Sequence, residues 1–244
     1  MSQHAHIKPH ALKFPGINKM KKKKIVLASN SPRRLEILKT FGLEPQVVPS
    51  IFAEDLPKGG YENKYEYPVA TATEKAVEVY RRLVEEDPDD APDLVIAADT
   101  VVFTHDDPNV VGYESTPLHA SILEKPETRE ENLRMLQELN GKACEVVTGV
   151  TVVWPIISAP GYMIKSMDER TIVHFADNSK QRLKAYVESG EGLDRAGGFA
   201  IQGLGGLLIA KIDGDFWNVV GFPASSFFQM LDILAEEEED FLAL

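Results

Sequence analysis

A single cysteine, Cys144, in 244 residues excludes an intrachain disulfide framework and a cysteine-rich zinc site. It fits a reducing compartment, most simply the cytosol. No apolar run approaches the roughly 18 residues of a membrane span. The longest stretch, Val146 to Ile157, is broken by Thr148, Gly149, Thr151 and Pro155. The N-terminus is basic but has no apolar segment behind it, so no secretory signal is expected. The P-loop pattern is missing, and Gly203-x-Gly205 lacks a third glycine because position 208 is leucine. There is no G-x-S-x-G motif. Histidines are few: His4, His6 and His10 lie near the start, His105 and His119 in a polar stretch, and His174 in a β-rich segment. These gaps remove Walker-type and Rossmann-type nucleotide binding and leave a covalent serine or cysteine mechanism without support.

A hydrophobic fraction of 43% and a charged fraction of 26% describe an ordinary globular chain. The net charge of −12 is uneven, because residues 1–24 carry seven lysines and no acids. The remaining body, at −19, is a poor match for long nucleic acids. Residues 1–24 read as a basic, disordered tail. Residues 25–244 read as one catalytic domain with a polar surface insertion at 104–121.

Strand and helix signals alternate, which gives an α/β class with some antiparallel pairing in the second half. Ile25 to Ala28 reads as a buried strand. Ser31 and Pro32 suit the cap and first position of the helix that follows. Pro68 to Glu86 is expected to be a long helix with Ala72, Ala76, Val79 and Leu83 on one face. Leu94 to Ala98 reads as a strand ending at Asp99, and Thr128 as the cap of a helix to Leu139. Residues 190–206 hold seven of the 17 glycines, the mark of a tight loop defined by its backbone.

The segment Ser29-Asn30-Ser31-Pro32-Arg33-Arg34, between strand and helix, offers free backbone N–H groups, hydroxyls and two guanidinium forks, all suited to phosphate oxygens. Asp99 at the end of a strand can hold Mg²⁺ or position a water. Lys75 and Lys125, in Glu74-Lys75 and Glu124-Lys125-Pro126, can neutralise phosphate charge. In the glycine-dense stretch, Gln202 can both donate to and accept from a base edge.

In this order the segments resemble the Maf family of nucleoside triphosphate pyrophosphatases. The matches run from Leu27-Ala28-Ser29-Asn30-Ser31-Pro32-Arg33-Arg34 through Ser50 to Glu54, Glu74-Lys75-Ala76 and Ala98-Asp99-Thr100. They continue through Leu123-Glu124-Lys125-Pro126, Thr148-Gly149-Val150 and Asp194-Arg195-Ala196-Gly197-Gly198. They end with Ile201-Gln202-Gly203-Leu204-Gly205-Gly206 and Val220-Gly221-Phe222-Pro223. The resemblance spans about Ile25 to Leu234. It implies a two-lobed α/β fold, like that of inosine-triphosphate pyrophosphatases, with a mixed central sheet and a cleft between the lobes. It also implies hydrolysis of a nucleoside triphosphate to the monophosphate and pyrophosphate with a divalent metal, Mg²⁺ or Mn²⁺.

On that resemblance Asp99 accepts the proton of the attacking water. Ser29, Arg33, Arg34, Lys75 and Lys125 hold phosphates, and Glu54 and Asp99 hold the metal. Arg33, Thr100 and Gln202 match positions that choose the substrate. Ile201-Gln202 resembles the branch acting on dTTP and UTP, whereas the 7-methyl-GTP branch carries Ser-Glu there. A homodimer is implied, and the apolar face of the last helix could supply an interface or pack on its own core; the cytoplasm is the default location. The competing function is a nucleotide-binding regulator of septum formation or cell division without turnover. No membrane or nucleic-acid partner is expected.

Overall fold

The computed structural model describes residues 6–57, 61, 63–105, 120–123 and 125–243. In chain order the elements are β1 (His6–Ile7), α1 (Pro15–Lys19), β2 (Ile25–Leu27), α2 (Pro32–Thr40), β3 (Leu43–Glu44), β4 (Gln46–Val47), α3 (Glu66–Glu86) and β5 (Leu94–His105). They continue with β6 (Ala120–Leu123), α4 (Arg129–Leu139), β7 (Ala143–Pro155), β8 (Tyr162–Phe175), α5 (Lys180–Ser189), β9 (Ile209–Asp213), α6 (Phe216–Val220) and α7 (Ala224–Glu237). The main sheet has seven strands in the order β4-β2-β5-β7-β8-β9, with β6 paired to β5. It is mixed, as the resemblance implies: β2 pairs in parallel with β4 and β5, while β5–β6 and β8–β9 are antiparallel.

The chain divides into two compact units. The first comprises Met1–Asp99, Gly149–Asp168 and Gly221–Leu244; the second comprises Thr100–Thr148 and Glu169–Val220.

In the first unit β2 is wholly buried, as expected for a parallel strand flanked by two others and covered by helices. One face of the sheet packs Val26, Ala28, Val95, Ala97 and Val153 against Ala76, Val79 and Tyr80 of α3. Those helix positions recur at the i, i+3, i+4 spacing that puts side chains on one stripe. Gly149 of β7 fixes how closely α3 approaches. A Cβ there would lie 2.5 Å from the backbone of Pro68 and Val69, so only glycine admits the first turn of the helix.

Residues 6–24 are not a disordered tail. β1 pairs antiparallel with β3, and α1 packs on α7. Ile17 and Met20 are buried, and the Gly16 N–H donates to Asp232 Oδ1 at 2.8 Å. The lysines here are also matched locally: Lys23 meets Asp93 at 3.2 Å and Lys24 meets Asp90 at 2.7 Å. Lysine counting missed this because the apolar residues between the lysines are too few to show a period. The apolar face of α7 is likewise spent inside the unit, where Phe227, Phe228, Leu231 and Leu234 are buried and Phe14 stacks edge-on to Phe228.

In the second unit Val102, Leu136, Cys144, Val146, Val173, Phe175, Leu183, Tyr186 and Phe199 form a continuous core. Burial raises the Cys144 thiol well above its ordinary value, so it stays protonated. Thr128 caps α4 as expected, accepting from Glu131 N. β5 does not stop at Asp99. The apolar Val101-Val102-Phe103 carries it on to pair with β6, and Asp99 therefore sits mid-strand. Most of the expected insertion at 104–121 lies outside the described residues; its two ends, in β5 and β6, pair with each other.

Candidate active site

The phosphate-binding candidates of the first loop are held by one another. Ser31 caps α2 through its backbone conformation alone, and its side chain makes no capping bond, so the first N–H groups of the helix stay available to an anion. The Ser29 hydroxyl accepts from Arg34 Nη1 at 3.2 Å and from the Ser31 N–H at 3.1 Å. Acting as acceptor in both, it keeps its own hydrogen for another partner. Arg34 Nε donates to the Gly221 carbonyl at 3.0 Å, which fixes the guanidinium plane. Burial lowers Arg34 from the ordinary guanidinium range, and the nearby charges of Asp99 and Glu54 act in the opposite sense. Arg33 Nη1 is shielded from solvent and has no hydrogen-bond partner among the described residues. A shielded, unpaired guanidinium N–H is costly, and an anion oxygen would relieve it.

Beside this loop lies a charged cluster. Lys75, on the sheet-facing stripe of α3, is only 7% exposed. Its Nζ donates to Asp99 Oδ1 at 2.8 Å and pairs with Glu54 Oε1 at 2.9 Å. Asp99 is 9% exposed, whereas the Glu54 side chain is about half exposed at 47%. Glu54 has φ 52°, in the left-handed region, which costs a non-glycine residue roughly 1–2 kcal/mol. The strand-free segment carrying it is tied to α3: the Ser50 hydroxyl donates to Glu78 Oε2 at 2.7 Å and the Ile51 N–H to the same oxygen at 3.1 Å. Arg82 grips Glu78 at 2.7 Å and the Pro49 carbonyl at 2.9 Å. One helix thus supplies the lysine and anchors the carboxylate that meets it. Tyr67, buried in the first turn of α3, has its hydroxyl raised by burial and then by the Asp99 charge.

Glu54 and Asp99 are two hard oxygen donors that share one neighbour, Lys75 Nζ. Such donors suit Mg²⁺, which takes one or two carboxylates and completes its shell with phosphate and water. Among the described residues no group of three or more His, Cys, Asp or Glu could hold a metal.

The remaining candidates belong to the second unit. Thr100 Oγ1 lies 3.0 Å from Thr148 Oγ1, and Thr148 is fully buried. Lys125 and Gln202 are both exposed, the first ahead of α4 and the second in the glycine-dense loop. The structure therefore joins Ser29, Arg34, Lys75, Asp99 and Glu54 by direct bonds or near charges, with Arg33 beside Arg34 in the chain.

The family model described as Maf-like protein matches residues 24–234. The chain belongs to the Maf-like family. A Maf-like relative from Homo sapiens, a probable bifunctional dTTP/UTP pyrophosphatase/methyltransferase protein, is 43% identical over 221 residues. The match covers 89% of this chain but only 33% of that longer relative, so this chain spans about a third of it. The dTTP/UTP pyrophosphatase of Schizosaccharomyces pombe is 39% identical, with 89% of this chain and 86% of the relative covered. That of Caldicellulosiruptor saccharolyticus is 38% identical over 87% and 95%. No helix among the described residues of this Maf-like chain is long and apolar enough to cross a membrane.

Sequence reasoning missed Glu78 and Arg82, although their i, i+4 spacing is a readable ion-pair signal. It also missed Tyr67, whose neighbour Asp99 lies too far along the chain for any local pattern to announce.

Proposed function

We propose that this chain is a nucleoside triphosphate pyrophosphatase converting dTTP or UTP to the monophosphate and pyrophosphate. The observation that carries the reading is Lys75 held between Asp99 and Glu54, with the Ser29–Arg34 loop close enough for its guanidinium to feel both carboxylates. The two dTTP/UTP pyrophosphatase relatives supply the substrate. Asp99 takes the proton of a water attacking the α-phosphorus. Ser29, Arg33, Arg34, Lys75 and Lys125 bind the phosphate oxygens and share the charge that builds on pyrophosphate, the positioning and electrostatic work that phosphoryl chemistry mainly requires. Arg33, Thr100 and Gln202 select the nucleotide, with Gln202 reading the pyrimidine edge. Glu54 and Asp99 hold Mg²⁺, with Mn²⁺ as a substitute. The bound metal supplies additional charge neutralisation at the phosphates.

Pyrophosphate release is to be measured with Mg²⁺ against dTTP, UTP, CTP, GTP, ATP and 7-methyl-GTP, with Asp99→Asn as control. Preferential release from dTTP and UTP, lost in the variant, supports the reading. Turnover of 7-methyl-GTP alone overturns the substrate. Nucleotide bound without turnover moves the reading to a nucleotide-binding regulator. The homodimer follows from the family resemblance and the cytoplasm from the single cysteine; light scattering after size exclusion and cell fractionation test them in turn.

A further inference from the structure

The glycine-dense loop of the second unit is shaped by three side chains that contribute no chemistry of their own. Asn132, fully buried on α4, donates from Nδ2 to the Gly198 carbonyl at 2.7 Å. The hydroxyl of Tyr186, on α5, accepts from the Ala200 N–H at 3.1 Å. Glu191, just after α5, accepts from the Leu204 N–H at 3.0 Å through Oε1 and from the Gly205 N–H at 2.9 Å through Oε2. The Tyr186 hydroxyl also lies beside the Glu191 carboxylate, so the two form one network. The Glu191 carboxylate fills the space a side chain at 203 would need, because a Cβ there would lie 2.0 Å from Oε1. A Cβ at 205 would lie 2.6 Å from the Ala200 carbonyl oxygen. Glycine at 203 and 205 therefore leaves room for the carboxylate and for the folded-back backbone.

The bonds to Ala200, Leu204 and Gly205 bracket Gln202 on both sides in the chain. Gln202 is itself exposed. An exposed amide can discriminate between bases only if its backbone is fixed, because a hydrogen-bonding group misplaced by about 1 Å loses much of its selective contact.

We infer that Glu191, together with Tyr186, is a positioning residue that sets nucleotide selectivity by fixing the backbone around Gln202. The inference rests on the reading of Gln202 as the residue that meets the base. Glu191→Gln keeps one carbonyl acceptor but replaces the other with an NH₂ that cannot receive an N–H, so one of the two bonds is lost. Glu191→Ala loses both.

The test measures dTTP and CTP affinity by calorimetry, alongside kcat and KM for each, in the wild type, Glu191→Gln, Glu191→Ala, Gln202→Ala and the Glu191→Gln/Gln202→Ala double variant. Thermal melting of each is recorded. The expected result is a severalfold loss of the dTTP-over-CTP preference in Glu191→Gln and at least a tenfold loss in Glu191→Ala, carried by KM and affinity with kcat little changed. The double variant should be no less selective than Gln202→Ala, because Glu191 acts through Gln202. A lower melting temperature with the preference intact overturns the inference and leaves Glu191 a purely structural residue. So does a double variant whose losses simply add. If Gln202→Ala itself leaves the preference unchanged, the reading of Gln202 fails and the inference fails with it. The calorimetric arm keeps these outcomes distinct even if the protein turns over no nucleotide.

Discussion

In the first unit the candidate groups are side chains bonded to side chains: Lys75 to Asp99 and Glu54, and Arg34 to Ser29. In the second unit the candidate base reader stands on a loop whose backbone is held by Asn132, Tyr186 and Glu191. The two constructions fail differently. A cluster of charges loses function when one charge is removed, even if every atom stays in place. A loop held through its backbone loses function when its shape relaxes, even if every functional group is retained.

The sharpest break of this comparison is Asp99→Asn. It is nearly isosteric, so the unit should fold as before, while pyrophosphate release falls by about 10²–10⁴-fold, the usual worth of a general base. Circular dichroism and a melting curve beside the activity assay check both halves. Near-wild-type turnover would remove Asp99 from the reaction.

Lys75→Met should be less selective between stability and function. It leaves Asp99 buried without its cation and facing Glu54, which costs about 3 kcal/mol at the low end for a broken buried pair. The half-exposed Glu54 adds little to that figure. Urea titration beside the pyrophosphate-release assay tests both sides.

On the loop side, Asn132→Ala removes the donor to the Gly198 carbonyl and opens a small cavity, for about 2 kcal/mol of stability. It should raise KM and leave kcat near the wild-type value. A fall in kcat equal to that of Asp99→Asn would erase the distinction between the two units.

The smallest effect concerns the N-terminal segment. Lys39 and then Lys8 hold the half-buried Glu44 carboxylate down at about 2, below its ordinary 4.5. A depressed carboxylate contributes stability above its unfolded value and loses it as the pH falls through its folded value. The melting-temperature gap between the wild type and Glu44→Gln should therefore close as the pH drops from above 4.5 towards 2. A gap that stays constant over that range would show that Glu44 does not tie β1 and α2 together through charge.

Local rules read much of this molecule correctly. The helix opening at Ser31-Pro32, the long α3 and its apolar stripe, and the Thr128 cap all follow from patterns within a few residues of each other. The same rules failed where a distant partner decides the outcome. Residues 6–24 look like a solvated basic arm until β3, α7, Asp90 and Asp93 are brought against them. Asp99 reads as a strand end because polar residues usually mark one. Pairing with β6 instead carries β5 to His105.

The sequence by itself determined the α/β class, the order of the motifs and the residue types that phosphate chemistry needs. These rest on local propensity, charge and spacing, and no tertiary contact is required to read them. Only the tertiary structure decided that Lys75 is shared between two carboxylates, that Gly149 sets the approach of α3, and that Glu191 grips the backbone around Gln202. Each of those joins positions 13 or more residues apart, where chain connectivity imposes no geometry and packing alone chooses the partner.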